Sequence, residues 1–110
     1  MEIGVEIETR DGTLCSDLFE AKRISRGLEK EIGSGLKIRY ENTQVRESVG
    51  IPEIISITLN FGTMVAAGYL ANWLYDKLHG RATKIRIDNL EIEIDRGEIE
   101  RVLRQKVEIE

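Results

Sequence analysis

Two residues carry side chains suited to acid–base or nucleophilic chemistry, and each residue type occurs once in the chain: His79 and Cys15. His79 falls at the predicted end of a helix, where a cation is favourable against the helix dipole. Cys15 falls at the predicted start of another helix, but no histidine lies near it in sequence to act as its base. We therefore interpret His79 as a capping residue and Cys15 as a small apolar residue, and we expect no catalytic residues.

Paired carboxylates are the next candidates for chemistry. Glu6 and Glu8 alternate along one predicted strand, and Glu91 and Glu93 along another, so each pair would project from one face of its strand. Paired acids can bind a divalent cation or share a proton. Because the second pair faces basic residues across a predicted hairpin, a solvated sheet face is the better interpretation. A metal-binding or small-ligand sensor is the alternative function, and we predict no cofactor.

Phosphate and nucleic-acid recognition lack the residues they need. Gly33-Ser34-Gly35 lies between a predicted helix and a strand, whereas glycine loops that bind phosphate lie between a strand and a helix. The net charge of −4 provides no positive field for a phosphate backbone. Sheet-based RNA readers stack bases on aromatic residues of their central strands, and only Tyr40 comes close to that pattern. We predict a turn at 33–35 and no nucleic-acid partner.

The composition indicates a cytoplasmic protein. The single cysteine cannot form an intrachain disulfide, which favours a reducing compartment. The first residues lack the basic start and apolar run of a secretory signal. Charged residues make up 33% of the chain, and its many isoleucines and glutamates resemble a heat-adapted composition.

The first third of the chain predicts a strand and a long helix. Ile3, Val5 and Ile7 alternate with Gly4 and with glutamates over residues 2–8, as in a strand with one buried face. Apolar residues then recur every three or four positions over 14–32, which predicts a helix. Asp17 and Glu20 would form its capping box, and Gly33 would end it.

The middle of the chain is more ambiguous. Alternation over 36–40 predicts a second strand, and the aperiodic residues 42–50 predict a long surface connection. Residues 54–61 alternate again and predict a third strand, followed by a second helix over 63–78. The alternative is one continuous helix over 53–79, which the β-branched residues and Gly62 disfavour.

Residues 54–75 are 22 positions without a charge, and about 20 apolar residues span a bilayer. Ser56, Thr58 and Asn60 within this stretch are costly in hydrocarbon. The amphipathic elements on either side also need this stretch as their core. We therefore predict a core segment, with membrane association through 54–75 as an alternative.

The C-terminal third contains the clearest local pattern, a β-hairpin around Asp88-Asn89. Both residues tolerate the positive φ of a tight two-residue turn. Such a turn would join apolar residues on one face and opposite charges on the other. The pairs of this register are Ile87 with Leu90, Arg86 with Glu91, Ile85 with Ile92 and Lys84 with Glu93.

Two further elements complete the prediction. Asp95 and Glu98 form a possible capping box for a short helix that ends at Leu103. Val107 and Ile109 alternate with charged residues and predict a last short strand. The element order predicts one α+β domain over 1–110, a ferredoxin-like split βαβ sandwich with an added C-terminal hairpin strand and short helix.

A resemblance adds to this interpretation. Residues 66–78, AAGYLANWLYDKL, are followed by a basic strand and an acidic strand. Over about residues 52–103 this pattern looks like small uncharacterised prokaryotic proteins. More distantly, it resembles the effector-associated constant component domains of bacterial conflict and signalling systems. The resemblance implies an adaptor or interaction module without enzymatic activity of its own.

The aromatic residues of the second helix are the candidate interface: Tyr69, Trp73 and Tyr75. Tyrosine and tryptophan are enriched at the energetic centres of interfaces. The helix is apolar on more sides than one small sheet can cover. We therefore predict a non-enzymatic interaction domain that self-associates into a homo-oligomer or binds a protein partner.

Overall fold

A computed structural model of the chain describes residues 1–45 and 52–109. Within these residues the chain forms six strands and three helices. In chain order they are β1 (Glu2–Thr9), α1 (Leu14–Phe19), β2 (Glu29–Gly33), β3 (Leu36–Gln44), β4 (Glu53–Asn60), α2 (Met64–Leu78), β5 (Ala82–Ile87), β6 (Leu90–Ile92) and α3 (Arg96–Ile109). The strands form one antiparallel sheet in the order β2-β3-β4-β1-β5-β6. The predicted α+β class is therefore confirmed.

The sheet has one apolar face and one polar face. In β1, Ile3, Val5 and Ile7 are buried, whereas Gly4 and Glu6 between them lie on the opposite face. Leu70 of α2 and Leu103 of α3 belong to the same buried cluster as these isoleucine and valine side chains. The helices therefore cover the apolar face, and the core lies between the two layers.

The uncharged stretch consists of two elements, as predicted. Its first part is β4, which pairs with β1 on one side and with β3 on the other. Its second part is α2, which begins where the hydroxyl Oγ1 of Thr63 accepts a hydrogen bond from the N–H of Ala66 at 3.0 Å. The continuous helix over 53–79 is therefore wrong. Among the helices of residues 1–45 and 52–109, none combines the length and apolar character needed to cross a membrane.

The predicted hairpin is confirmed in position and register. Asp88 and Asn89 have φ values of 52° and 66°, and a type I′ turn requires a positive φ at both of its central residues. The pairs are Ile87 with Leu90, Arg86 with Glu91 and Ile85 with Ile92. The fourth predicted pair, Lys84 with Glu93, is wrong because β6 ends at Ile92.

The predicted helix over 14–32 is wrong. Helix α1 ends at Phe19, because Glu20 adopts the left-handed conformation with a φ of 49°. The predicted capping box of Asp17 and Glu20 is wrong too, since Thr13 is the N-cap residue and Glu20 the C-cap residue. Residues 29–33 form β2, a strand that pairs with β3 across the turn at 33–36. Gly33 therefore ends a strand rather than a helix.

The C-terminal helix is longer than predicted. The carboxylate of Asp95 accepts a hydrogen bond from the N–H of Glu98 at 3.0 Å, which confirms its predicted capping role. The helix continues through Ile109, so the strand predicted at Val107 and Ile109 is wrong. Val107 lies four residues after Leu103 and packs against the same core, which extends the helical stripe.

The ferredoxin-like topology is not confirmed. The four central strands lie in the order β3-β4-β1-β5, and β2 and β6 add one edge strand on each side. The connection from β1 to β3 contains the 6-residue α1 and the strand β2 instead of one long helix. Strand β3 also extends to Gln44, so the predicted connection over 42–50 begins as strand, and its residues 46–50 lie outside the described residues.

Candidate interaction surface

The predicted interface residues lie on α2, and two of the three share its exposed side. Tyr69 is 51% exposed, and Trp73, one turn later, is half-buried. Val65, one turn earlier, is 85% exposed. Residues four positions apart lie on the same side of a helix. Val65, Tyr69 and Trp73 therefore form one stripe, which we call the α2 surface.

A groove of about 220 Å³ runs beside the first half of the α2 surface. It lies between the start of α2 and the β2–β3 turn, and its lining residues are Gly33, Ser34, Leu36, Thr63, Val65, Ala66 and Tyr69. The turn approaches the helix closely, since a Cβ atom on Gly33 would lie 2.9 Å from Cδ1 of Leu36 and 3.4 Å from Cε1 of Tyr69. A side chain at position 33 would therefore displace Leu36 or narrow the groove. A second depression, of about 200 Å³, lies on the other side of Tyr69, beside Trp73.

Tyr75 lies apart from this stripe. Its ring stacks on the ring of His79, with the centroids 4.9 Å apart and the planes inclined by 30°. His79 is the C-cap residue of α2, and its backbone N–H donates to the carbonyl oxygen of Tyr75 at 2.9 Å. The predicted position of His79 at the helix end is thus confirmed, and Tyr75 belongs to that helix end rather than to the α2 surface.

Cys15 is unsuited to nucleophilic chemistry. The residue lies in the first turn of α1 and is half-buried. Burial, with a smaller contribution from the nearby carboxylate of Glu53, raises the pKa of the Cys15 thiol to about 11. At neutral pH the thiol therefore stays protonated, and the thiolate is the reactive form.

Several acidic residues of the polar sheet face are paired with basic ones. Nη2 of Arg86 lies 3.0 Å from the carboxylate of Glu8 and 3.7 Å from that of Glu91. Nε of Arg39 lies 2.7 Å from the carboxylate of Glu41. A hydrogen bond from the Thr58 hydroxyl and the guanidinium of Arg39 hold the pKa of Glu41 below its ordinary value. This face therefore carries ion pairs between neighbouring strands, as at Arg86, and within one strand, as between Arg39 and Glu41.

The part of the chain that the structure describes contains no candidate metal site. No three side chains of histidine, cysteine, aspartate or glutamate lie close enough there to bind one metal ion. A depression of about 170 Å³ does lie on the polar face, above Gly4 and between Glu6, Ser56 and Arg86. Ligand pockets usually enclose 300 Å³ or more, roughly twice this volume. The depression is therefore smaller than an ordinary ligand pocket.

Val65 is the main residue of this surface that the sequence did not single out. The sequence does not distinguish Val65 from the core positions, because a helix that is apolar on most sides gives no periodic signal for its exposed side. The buried positions of α2 are Ala67, Leu70, Ala71, Leu74 and Leu78. Val65 lies on the other side of the helix from these buried positions. Helical spacing predicts its exposure only once the buried side of α2 is known.

The fold and surface thus define a two-layer α+β domain with an exposed aromatic and aliphatic stripe on its central helix. No protein-family model matches the chain, and neither a curated protein nor a solved structure matches it. The resemblance to effector-associated constant component domains stays a prediction.

Proposed function

We propose that this chain is a non-enzymatic interaction domain that self-associates through the α2 surface. The observation that carries the proposal is the exposure of Val65 and Tyr69 beside an apolar groove. Large apolar side chains that are exposed together on one side of a small domain are typical of binding surfaces. Tyrosine and tryptophan at the centre of such a surface supply a large contact area.

A second copy of the chain suits the α2 surface because a projecting side chain, Val65, lies directly beside the groove. In a two-fold symmetric dimer, each residue pair occurs twice, so one patch must complement itself. Val65 projects from the first turn of α2, and the groove beside it has room for a side chain of that size. Two α2 surfaces related by a two-fold axis could therefore each place Val65 in the partner's groove.

The absence of enzymatic activity is part of the proposal. The thiol of Cys15 is held protonated by burial, and the ring of His79 is stacked on Tyr75. Cys15 thus offers no activated nucleophile, and in this proposal the exposed ring of His79 serves only the end of α2. An adaptor role agrees with this inventory, since binding needs no such groups.

Sedimentation velocity over a range of micromolar concentrations tests the self-association. We expect a concentration-dependent dimer, because one surface patch that complements itself closes into a pair of chains. In the double variant Val65→Gln/Tyr69→Gln, we expect the dissociation constant to rise about tenfold or more, since each buried side chain contributes about 1.5–3 kcal/mol.

The variant Ile109→Gln is the matched control. Ile109 is 80% exposed, β-branched and helical, as Val65 is, but it lies at the end of α3. This variant should dimerise as the unmodified chain does. A monomer at all concentrations, or equal weakening by Ile109→Gln, would contradict self-association through the α2 surface.

A further inference from the structure

Strand β6 forms one edge of the described sheet. Among residues 1–45 and 52–109 it pairs only with β5, through a two-residue turn, so part of its backbone has no strand partner there. In such a hairpin the residues next to the turn form a hydrogen-bonded pair, and the pairs then alternate. Leu90 and Ile92 therefore direct their backbone groups towards β5, and Glu91 directs its N–H and C=O outwards.

Apolar surface accompanies this open edge. On the side covered by helices, Leu90 is 53% exposed and Ile92 is half-buried. A cavity of about 440 Å³ lies between this edge and α3, where Glu98 and Arg101 line it. An added strand could therefore bury apolar side chains against Leu90 and Ile92 while it completes the backbone hydrogen bonds.

The charges along the β6 edge determine which kind of strand could be added to it. Glu91 and Glu93 occupy alternate positions, and Glu93 has no ion-pair partner within residues 1–45 and 52–109. The opposite edge, β2, also carries acids at alternate positions, Glu29 and Glu31, which lie opposite Arg39 and Lys37. Contact between β6 edges, or between β6 and β2 of another copy, would bring like charges together. The fitting strand instead carries basic residues.

We propose that the β6 edge binds an extended segment of a partner protein, in which lysine or arginine alternates with apolar residues, by β-strand addition. Basic side chains of this segment pair with Glu91 and Glu93, and its apolar side chains lie on Leu90 and Ile92. This site is separate from the α2 surface. A heterologous partner at β6 therefore leaves a homodimer through α2 intact.

A short capped peptide of alternating lysine and valine residues is the probe, titrated into the ¹⁵N-labelled chain. We expect the largest amide shifts at residues 90–93, and no comparable binding of a glutamate–valine peptide. A lysine–valine peptide that is N-methylated at alternate residues keeps its charge but loses the donors for strand pairing. It should bind at least tenfold more weakly.

The variant Glu93→Gln should weaken the lysine–valine peptide about two- to fivefold, the size expected of one cross-strand charge pair. Glu31→Gln makes the same change on the opposite edge and should leave the affinity unchanged. Equal binding of the acidic or the N-methylated peptide would overturn strand addition. Shifts centred away from residues 90–93, or no binding at millimolar peptide, would overturn the site. The variant Val65→Gln/Tyr69→Gln should bind the peptide normally, which separates this test from that of self-association.

Discussion

Nε of Arg81 lies 2.7 Å from Oδ2 of Asp11, a residue 70 positions earlier in the chain. Nη2 of Arg81 also lies 2.7 Å from Oδ2 of Asp17 and 3.0 Å from Oγ1 of Thr13. These contacts join the start of α1 to the turn between α2 and β5. The short helix α1 is therefore held in place by polar contacts as well as by its buried leucines.

The Asp11 carboxylate should make stability depend on acidity. Hydrogen bonds from Thr13 and Arg81 lower the pKa of Asp11 from its ordinary value of 3.8 to about 2. Because the folded-state pKa is depressed, the stabilisation is present above pH 3.8 and is lost as the pH falls towards 2. Urea denaturation at a series of pH values should show this loss as a decrease in the free energy of unfolding. In Asp11→Asn the free energy of unfolding should decrease less over the same pH range. Parallel curves for the two proteins would contradict the assignment.

Thr9 is the one buried polar residue of β1, and its hydroxyl forms hydrogen bonds with two backbone groups. Its hydroxyl donates to the carbonyl oxygen of Arg81 at 2.6 Å and accepts from the N–H of Asp11 at 3.0 Å. The variant Thr9→Val keeps the shape but removes both bonds, so unfolding should become easier by about 1–3 kcal/mol. Thr9→Ser retains the hydroxyl and should lose less. The measurement is the urea midpoint, and an equal or larger loss in Thr9→Ser would contradict the dominance of the two hydrogen bonds over the methyl group.

Substitution by alanine should change the stability of the chain in opposite directions at Gly4 and Gly33. A Cβ atom on Gly4 would have no neighbour within 4 Å, so Gly4→Ala should stabilise the chain by about 0.5–1 kcal/mol. A Cβ atom on Gly33 would lie 2.9 Å from Cδ1 of Leu36, so Gly33→Ala should destabilise the chain by about 1–3 kcal/mol. Thermal unfolding of the two variants checks the signs. A loss of stability in Gly4→Ala would contradict the free space around a Cβ atom at this position.

The β5–β6 turn should be sensitive to the residue at position 89. Asn89 has a φ of 66°, a conformation that costs most residues about 1–2 kcal/mol and glycine almost nothing. Asn89→Gly should therefore match or exceed the stability of the original chain, and Asn89→Ala should lower it by about 1 kcal/mol. Differential scanning calorimetry distinguishes these outcomes. Equal melting temperatures for the glycine and alanine variants would contradict the turn type.

The largest departure from the sequence-based prediction is β2. Apolar residues at 14, 18, 21, 24, 28 and 32 match a helical spacing, yet the first two belong to a helix and Ile32 to a strand. A short helix, a loop and a strand can together imitate one helical stripe. Pairing with β3 decides the conformation of residues 29–33, because it satisfies their backbone groups and places Glu29 opposite Arg39.

Local chemistry by itself determined the hairpin at Asp88-Asn89, the division of residues 54–75 and the start of α3 directly after Asp95. Each depends on neighbours within a few positions, such as a turn dipeptide, a period-2 alternation or a capping carboxylate. Only the tertiary structure decided β2, the exposure of Val65 and the open edge at β6. These features depend on which surfaces the sheet and helices leave uncovered, and that is fixed by contacts between residues far apart in the chain.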